Sequence, residues 1–106
     1  MTNEEFDKIL EERIQKMRSI LAYKADEYAR GDRLSNFKKT AALMGCQPEN
    51  ACVYFWMKHV TSIVDLSNDL NDGKCATFGM WQEKIGDAIN YLILLEGLVT
   101  ERINKQ

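Results

Sequence analysis

Apolar residues recur at steps of three and four along nearly the whole chain, and short glycine-bearing breaks separate the runs. That pattern predicts helices joined by tight turns. Thr2 and Glu5 have the spacing of a capping box, and Phe6, Ile9, Leu10, Met17, Ile20, Leu21 and Tyr28 follow at helical steps. A long first helix to about Ala29 is therefore expected. Arg30-Gly31-Asp32-Arg33 interrupts it, because glycine accepts the left-handed backbone that ends helices. A short second helix is predicted from about Ser35 to Met44, stopped by Gly45. Pro48 and Glu49 suit the first turn of a third, whose stripe Trp56, Val60, Ile63, Ser67 and Leu70 ends at Asn71-Asp72-Gly73. Thr77 can cap a fourth helix running to about Ile103, with Trp81, Ile85, Ala88, Ile89, Leu92, Val99 and Ile103 expected to face inward. No strand pattern, repeat or low-complexity tract interrupts the series. The expected fold is all-α, a bundle of about four helices, two or three of them long and one short, in one domain spanning residues 1–106.

The fourth segment is apolar nearly all round, and a chain this short builds only a modest core. A second apolar face argues for burial against another subunit, so a homo-oligomer is expected. The formal net charge of −2 gives no bulk attraction to nucleic acid or to anionic membranes, so any phosphate recognition must be local. The run from Ile85 to Val99 is too short and too interrupted to span a bilayer, and the first residues lack a signal peptide pattern. A cytoplasmic location is expected. Three cysteines, Cys46, Cys52 and Cys75, are odd in number and lack zinc-type pairing, which fits reduced packing thiols.

Within the apolar fourth segment, Asp87 and Asn90 lie one helical turn apart, and Glu83 extends their stripe. An ionised carboxylate buried without compensation costs several kcal/mol or more, so Asp87 needs a cation, a metal, hydrogen-bond donors or a water-filled cleft. Three oxygen-bearing side chains on one helix face suit a divalent-metal or nucleotide site. They equally suit a polar stripe that fixes register between helices. The short link between the third and fourth helices makes them antiparallel neighbours, which brings Asp65 level with Asp87 and Asp69 level with Glu83. Such carboxylates hold magnesium or manganese through oxygen ligands and water.

A second constellation surrounds the break after the first helix. Lys24 and Tyr28 lie four apart, Arg33 can fork two phosphate oxygens, Asn36 can read an amide-like base edge, and Phe37 offers a stacking surface. The plain alternative is a helical corner in which Tyr28 and Phe37 pack, Asp32 caps and the cations are solvated. Lys58 and His59 form the third candidate group. His59, the single histidine, is a general acid, a phosphate donor or, as is commoner on a largely apolar helix, a hydrogen-bonded packing residue.

Tyr28-Ala-Arg-Gly-Asp-Arg-Leu-Ser-Asn-Phe37, then Met57-Lys58-His59, then Glu83-Lys-Ile-Gly-Asp-Ala-Ile-Asn-Tyr-Leu92 resemble, in that order, a family of small phage and prophage proteins carrying labels such as nucleotide modification associated domain. That group is similar in turn to the all-α nucleoside triphosphate pyrophosphohydrolases of the MazG and dUTPase type, whose oligomeric bundles hold magnesium between acidic helices. The resemblance implies a MazG-like bundle in which Glu83 and Asp87 form the acidic helix motif, both catalytic and metal-binding, with Asp65 a further metal ligand. Lys24, Tyr28, Arg33, Asn36, Phe37, Lys58, His59 and Asn90 would then meet the nucleotide. The implied reaction is magnesium-assisted hydrolysis of a nucleoside triphosphate to monophosphate and pyrophosphate. MazG-type enzymes usually carry Glu-Glu-x-x-Glu on the preceding acidic helix, where this chain offers Asp65 and Asp69. The departure leaves two other readings open. One is a nucleotide-binding protein without turnover that sequesters a signal, as an anti-defence protein would. The other is a helical inhibitor of a host protein anchored by Tyr54, Phe55 and Trp56.

Overall fold

A computed structural model describes the backbone of residues 1–28 and 31–105 and the side chains of 1–22 and 31–105. The described residues form four helices and no strand, in the order α1 (Asn3–Tyr28), α2 (Ser35–Met44), α3 (Pro48–Asn71) and α4 (Phe78–Asn104). The fold is an all-α helical bundle, and its boundaries have local causes. Glu5 N–H donates to Thr2 Oγ1 at 3.1 Å while Thr2 N–H donates to Glu5 Oε2 at 2.9 Å, closing the capping box of α1. Its expected end, Ala29, lies outside the described residues. Asp32 organises the entry to α2, accepting from Leu34 N–H on Oδ1 at 3.0 Å and from Ser35 N–H on its carbonyl at 3.2 Å. Gly45, at φ 71°, closes α2 in the left-handed conformation, so that its own N–H and that of Cys46 reach the Ala41 carbonyl. Pro48 opens α3, and Thr77 Oγ1 caps α4 by accepting from Met80 N–H at 3.2 Å.

The antiparallel pair α3 and α4 is the spine, with α2 packed on α3 and α1 on α4. Leu34 and Phe37, from α2 and its entry, meet Cys52 of α3 and Leu98 of α4 in the core, with Tyr91, Leu94 and Leu95 packed around them. Near the middle of α1, Arg13 crosses α4 over Gly86, where a Cβ would stand 2.6 Å from Arg13 Nη1, and donates to the Gln82 carbonyl at 3.2 Å. No helix among the described residues is long and apolar enough to cross a membrane.

Two expectations are corrected. The stripe placed inward on α4 is largely its outer face: Ile85, Leu92, Val99 and Ile103 are exposed, and of that stripe only Ala88 is buried. Asp87, Asn90, Tyr91, Leu94 and Leu98 face the bundle instead. A helix that is apolar on two sides carries no periodic mark of which side its own chain covers. The register of the α3–α4 pair also differs. Asp87 comes beside His59, and Cys52 Sγ lies 3.4 Å from the Tyr91 carbonyl, so Asp65 is not level with Asp87. Residues 74–77 are not helical. An extended link covers more than twice the rise of helix per residue, so it runs back along α3 before α4 begins.

Candidate functional site

Two pairs of residues, each four apart on its helix, build the wall of a cleft. Phe55 and His59 on α3 face Tyr91 and Asp87 on α4, one turn against one turn. His59 stacks on Tyr91 with ring centroids 4.9 Å apart, and His59 Nδ1 stands 3.7 Å from Asp87 Oδ2. That separation is a charge contact longer than a hydrogen bond. Phe37 arrives from α2 and meets the Phe55 ring at 6.3 Å and the Tyr91 ring edge-on at 6.2 Å. Three aromatic rings therefore converge where α2, α3 and α4 meet.

The opening beside these rings is a cleft of about 260 Å³, and its polar lining comes from Arg33, Asn36, Thr40, Asp87 and Asn90. Arg33, half-buried, reaches across to α1 and donates from Nη2 to the Leu21 carbonyl at 3.1 Å. That bond fixes the guanidinium over the cleft and, among the described residues, engages one of its five N–H donors. Asn90 is the unusual member. It is 5% exposed, and among the described residues neither its Oδ1 nor its Nδ2 has a hydrogen-bond partner. A buried carboxamide left in that state costs about 1–3 kcal/mol.

Asp87 also borders a second, shallower recess on the α1 side, with Glu83, Arg13 and Lys16 around it. The turn Glu83–Asp87 therefore sits between an aromatic cleft on one side and two cations on the other. Among the described residues no group of three or more His, Cys, Asp or Glu side chains is close enough to hold a metal ion. Glu83 and Asp87 supply two carboxylates, the usual protein contribution to magnesium when water and phosphate oxygens complete its octahedron. The donor set fits magnesium in that limited sense.

Five residues singled out in the sequence, Arg33, Asn36, Phe37, Asp87 and Asn90, share the first cleft. Glu83 shares the second recess with Asp87, and His59 stands behind the first as the ring stacked on Tyr91. Lys58 and Asp65 are exposed on α3 and line neither opening. The side chains of Lys24 and Tyr28 lie outside the described residues. Tyr54, Phe55 and Trp56 do not form one anchor cluster, because successive helical residues point about 100° apart. Tyr54 is exposed, Phe55 joins the cleft, and Trp56 is half-buried with its Nε1 unpartnered among the described residues. Sequence reasoning missed Phe55 and Tyr91 as cleft walls and Arg13 and Lys16 as cations. For the first pair the i, i+4 relation to His59 and Asp87 was the available signal. No family profile, curated protein or solved structure matches the chain.

Proposed function

We propose that the protein handles nucleotides, taking the base into the aromatic cleft and directing the phosphates past Asp87 toward the recess of Arg13 and Lys16. The observation that carries the reading is Asn90. Its unpaired carbonyl and amide form an adjacent acceptor and donor, the pair that a nucleobase edge complements in a bidentate contact. Phe37, Phe55 and Tyr91 supply ring faces for the base, and stacking of this kind contributes about 1–3 kcal/mol per base. Arg33, at the same mouth, has the fork geometry for a phosphate or a ribose-proximal oxygen. The enclosed volume suits a base better than a whole nucleotide, which agrees with phosphates lying outside it.

The reaction that fits is hydrolysis of a nucleoside triphosphate. Water oxygen bonds to the α-phosphorus, the bridge to the β-phosphate breaks, and monophosphate and pyrophosphate leave. Magnesium, held by Glu83 and Asp87, would neutralise phosphate charge and orient the water. Arg13 and Lys16 lie where the released pyrophosphate needs counter-charge. This reading extends the resemblance to phage proteins and MazG-type enzymes and assigns the protein to a cytoplasmic nucleotide pool.

Phosphorus NMR of the purified protein with mixed ribo- and deoxyribonucleoside triphosphates and magnesium tests it, with Asp87→Asn as control. Pyrophosphate formed by the wild type alone supports turnover. One observation favours a second reading, capture without turnover: Asp65 stays away from the Glu83–Asp87 turn, which leaves the acidic set at two among the described residues. Unchanged triphosphates together with calorimetric binding that survives Asp87→Asn would select capture. Absence of both turnover and binding sinks the nucleotide reading.

A further inference from the structure

His59 touches both halves of the site from behind. Its imidazole lies nearly parallel to the Tyr91 ring, with centroids 4.9 Å apart and planes 25° from each other, and its Nδ1 stands 3.7 Å from Asp87 Oδ2. Tyr91 belongs to the aromatic wall of the cleft, and Asp87 stands where that cleft meets the recess of Arg13 and Lys16. One turn of α4 therefore carries a ring and a carboxylate with different tasks, and a single side chain of α3 rests against both. His59 itself lines neither opening. Its side chain is 19% exposed, and among the described residues it is the one ion-pair partner of Asp87.

We propose that His59 is a positioning residue: its ring face holds Tyr91 for the base, and its Nδ1 edge holds the Asp87 carboxylate for the phosphate side. The inference rests on the hydrolytic reading of the site given above. Distance is the first argument. The facing carboxylate favours the imidazole tautomer with its proton on Nδ1, and that N–H dipole attracts Oδ2. At 3.7 Å it does so without spending the oxygen's lone pairs on a hydrogen bond, so the carboxylate is oriented and still open to a further ligand. Residue type is the second argument. A lysine here would close a full ion pair with Asp87 and compete for its charge, and a phenylalanine would pack on Tyr91 and leave the carboxylate without a donor. Imidazole supplies the flat face and the donor edge together. Groups that hold a metal ligand in place from outside are worth about ten- to a hundredfold in metal affinity or activity. Paired rings contribute about three- to tenfold.

Two substitutions separate the two contacts. His59→Phe keeps a ring against Tyr91 and removes the donor, whereas His59→Asn removes the ring and keeps an N–H close to where Nδ1 stood. The probes are α,β-methylene analogues of ATP, GTP, CTP and UTP in ribo and deoxy forms, whose α–β bridge does not hydrolyse. Each is titrated calorimetrically in magnesium and in EDTA. For the analogue that binds tightest, the wild type is expected to bind more tightly in magnesium. His59→Phe should leave the EDTA dissociation constant unchanged and cut the magnesium enhancement about tenfold. His59→Asn should weaken binding in EDTA by about threefold or more and keep the enhancement. Circular dichroism establishes that each variant is folded. A wild type that binds no analogue overturns the nucleotide reading and this inference with it. Binding that magnesium does not strengthen overturns the hydrolytic reading and the inference, and leaves capture standing. Variants that match the wild type in both media, or that weaken binding equally in both, overturn the inference alone, the second pattern being that of a packing residue. If one variant fails to fold, the other decides.

Discussion

Asn90 separates a side chain kept for stability from one kept for a ligand. A buried amide with two unpaired atoms stabilises nothing, so Asn90→Leu, which keeps the branching and the number of heavy atoms and is free of that cost, is expected to raise stability by about 1 kcal/mol. The same change should weaken nucleotide binding at least tenfold. Chemical denaturation and calorimetry on one preparation check both halves, and a Leu variant less stable than the wild type would mean that the amide is satisfied structurally. Cysteines make a second prediction at this scale. Burial pushes the Cys52 thiol up to about 11, so at neutral pH it is protonated and a poor nucleophile. Cys75 is exposed and Cys46 intermediate. Titration with a disulfide reagent should label Cys75 first and Cys46 after it, with Cys52 reacting only on unfolding. Residues such as Arg33, Phe37 and Asp87 were legible in the sequence because each combines a chemical type with a helix-end or buried position. Phe55 and Tyr91 were not, since an aromatic residue on a helix reads equally as core.

Helix ends follow local rules, and the expected starts at Ser35, Pro48 and the Thr77 cap coincide with the observed ones. Removing the α4 cap by Thr77→Ala should cost about 1 kcal/mol, visible as a lower denaturation midpoint with an unchanged slope. What joins one element to another is less local. The register of α3 against α4 depends on how residues 74–77 run, and the exposed Asp65 gives no signal of being out of step with Asp87. One charged cluster does tie elements together. Lys38 Nζ lies 2.6 Å from both Asp32 Oδ2 and Glu101 Oε1, joining the start of α2 to the end of α4. The hydrogen bonds from Lys38 hold both carboxyls below their ordinary values and raise the lysine above its own. Both carboxyls therefore favour the fold above their unfolded pKa values, and that contribution disappears as pH falls through the lowered folded values. The lysine's contribution is complete below its unfolded pKa and is lost as pH rises through the raised one. Stability from this cluster is thus a plateau with an acid and an alkaline edge. Lys38→Met should flatten the acid edge of the stability profile measured across that range; an unaltered acid limb would show the cluster to be thermodynamically silent, as exposed ion pairs often are.

At the scale of the molecule, the buried apolar set is small: among the described residues it is Leu34, Phe37, Ala41, Ala51, Cys52, Ala88 and Leu98, three of them alanine. A core of that size in a chain of 106 residues gives little net stability by itself. Exposed apolar residues lie on the outer face of α4, on the first turns of α1, at the end of α2 and along α3. The sequence shows those residues to be apolar and periodic without showing which face the chain covers itself. Linkage distinguishes the expected homo-oligomer from a chain that folds alone, without any variant. If folding and pairing are coupled, two unfolded chains form one folded dimer, and stability gains RT ln of the concentration. A hundredfold increase in protein then adds about 2.7 kcal/mol, which for the unfolding entropy of two chains of this length corresponds to a rise of about 6 °C in Tm. A chain that folds alone and leaves α4 bare shows the same Tm at every concentration. Calorimetric scans at the two ends of that range read the difference.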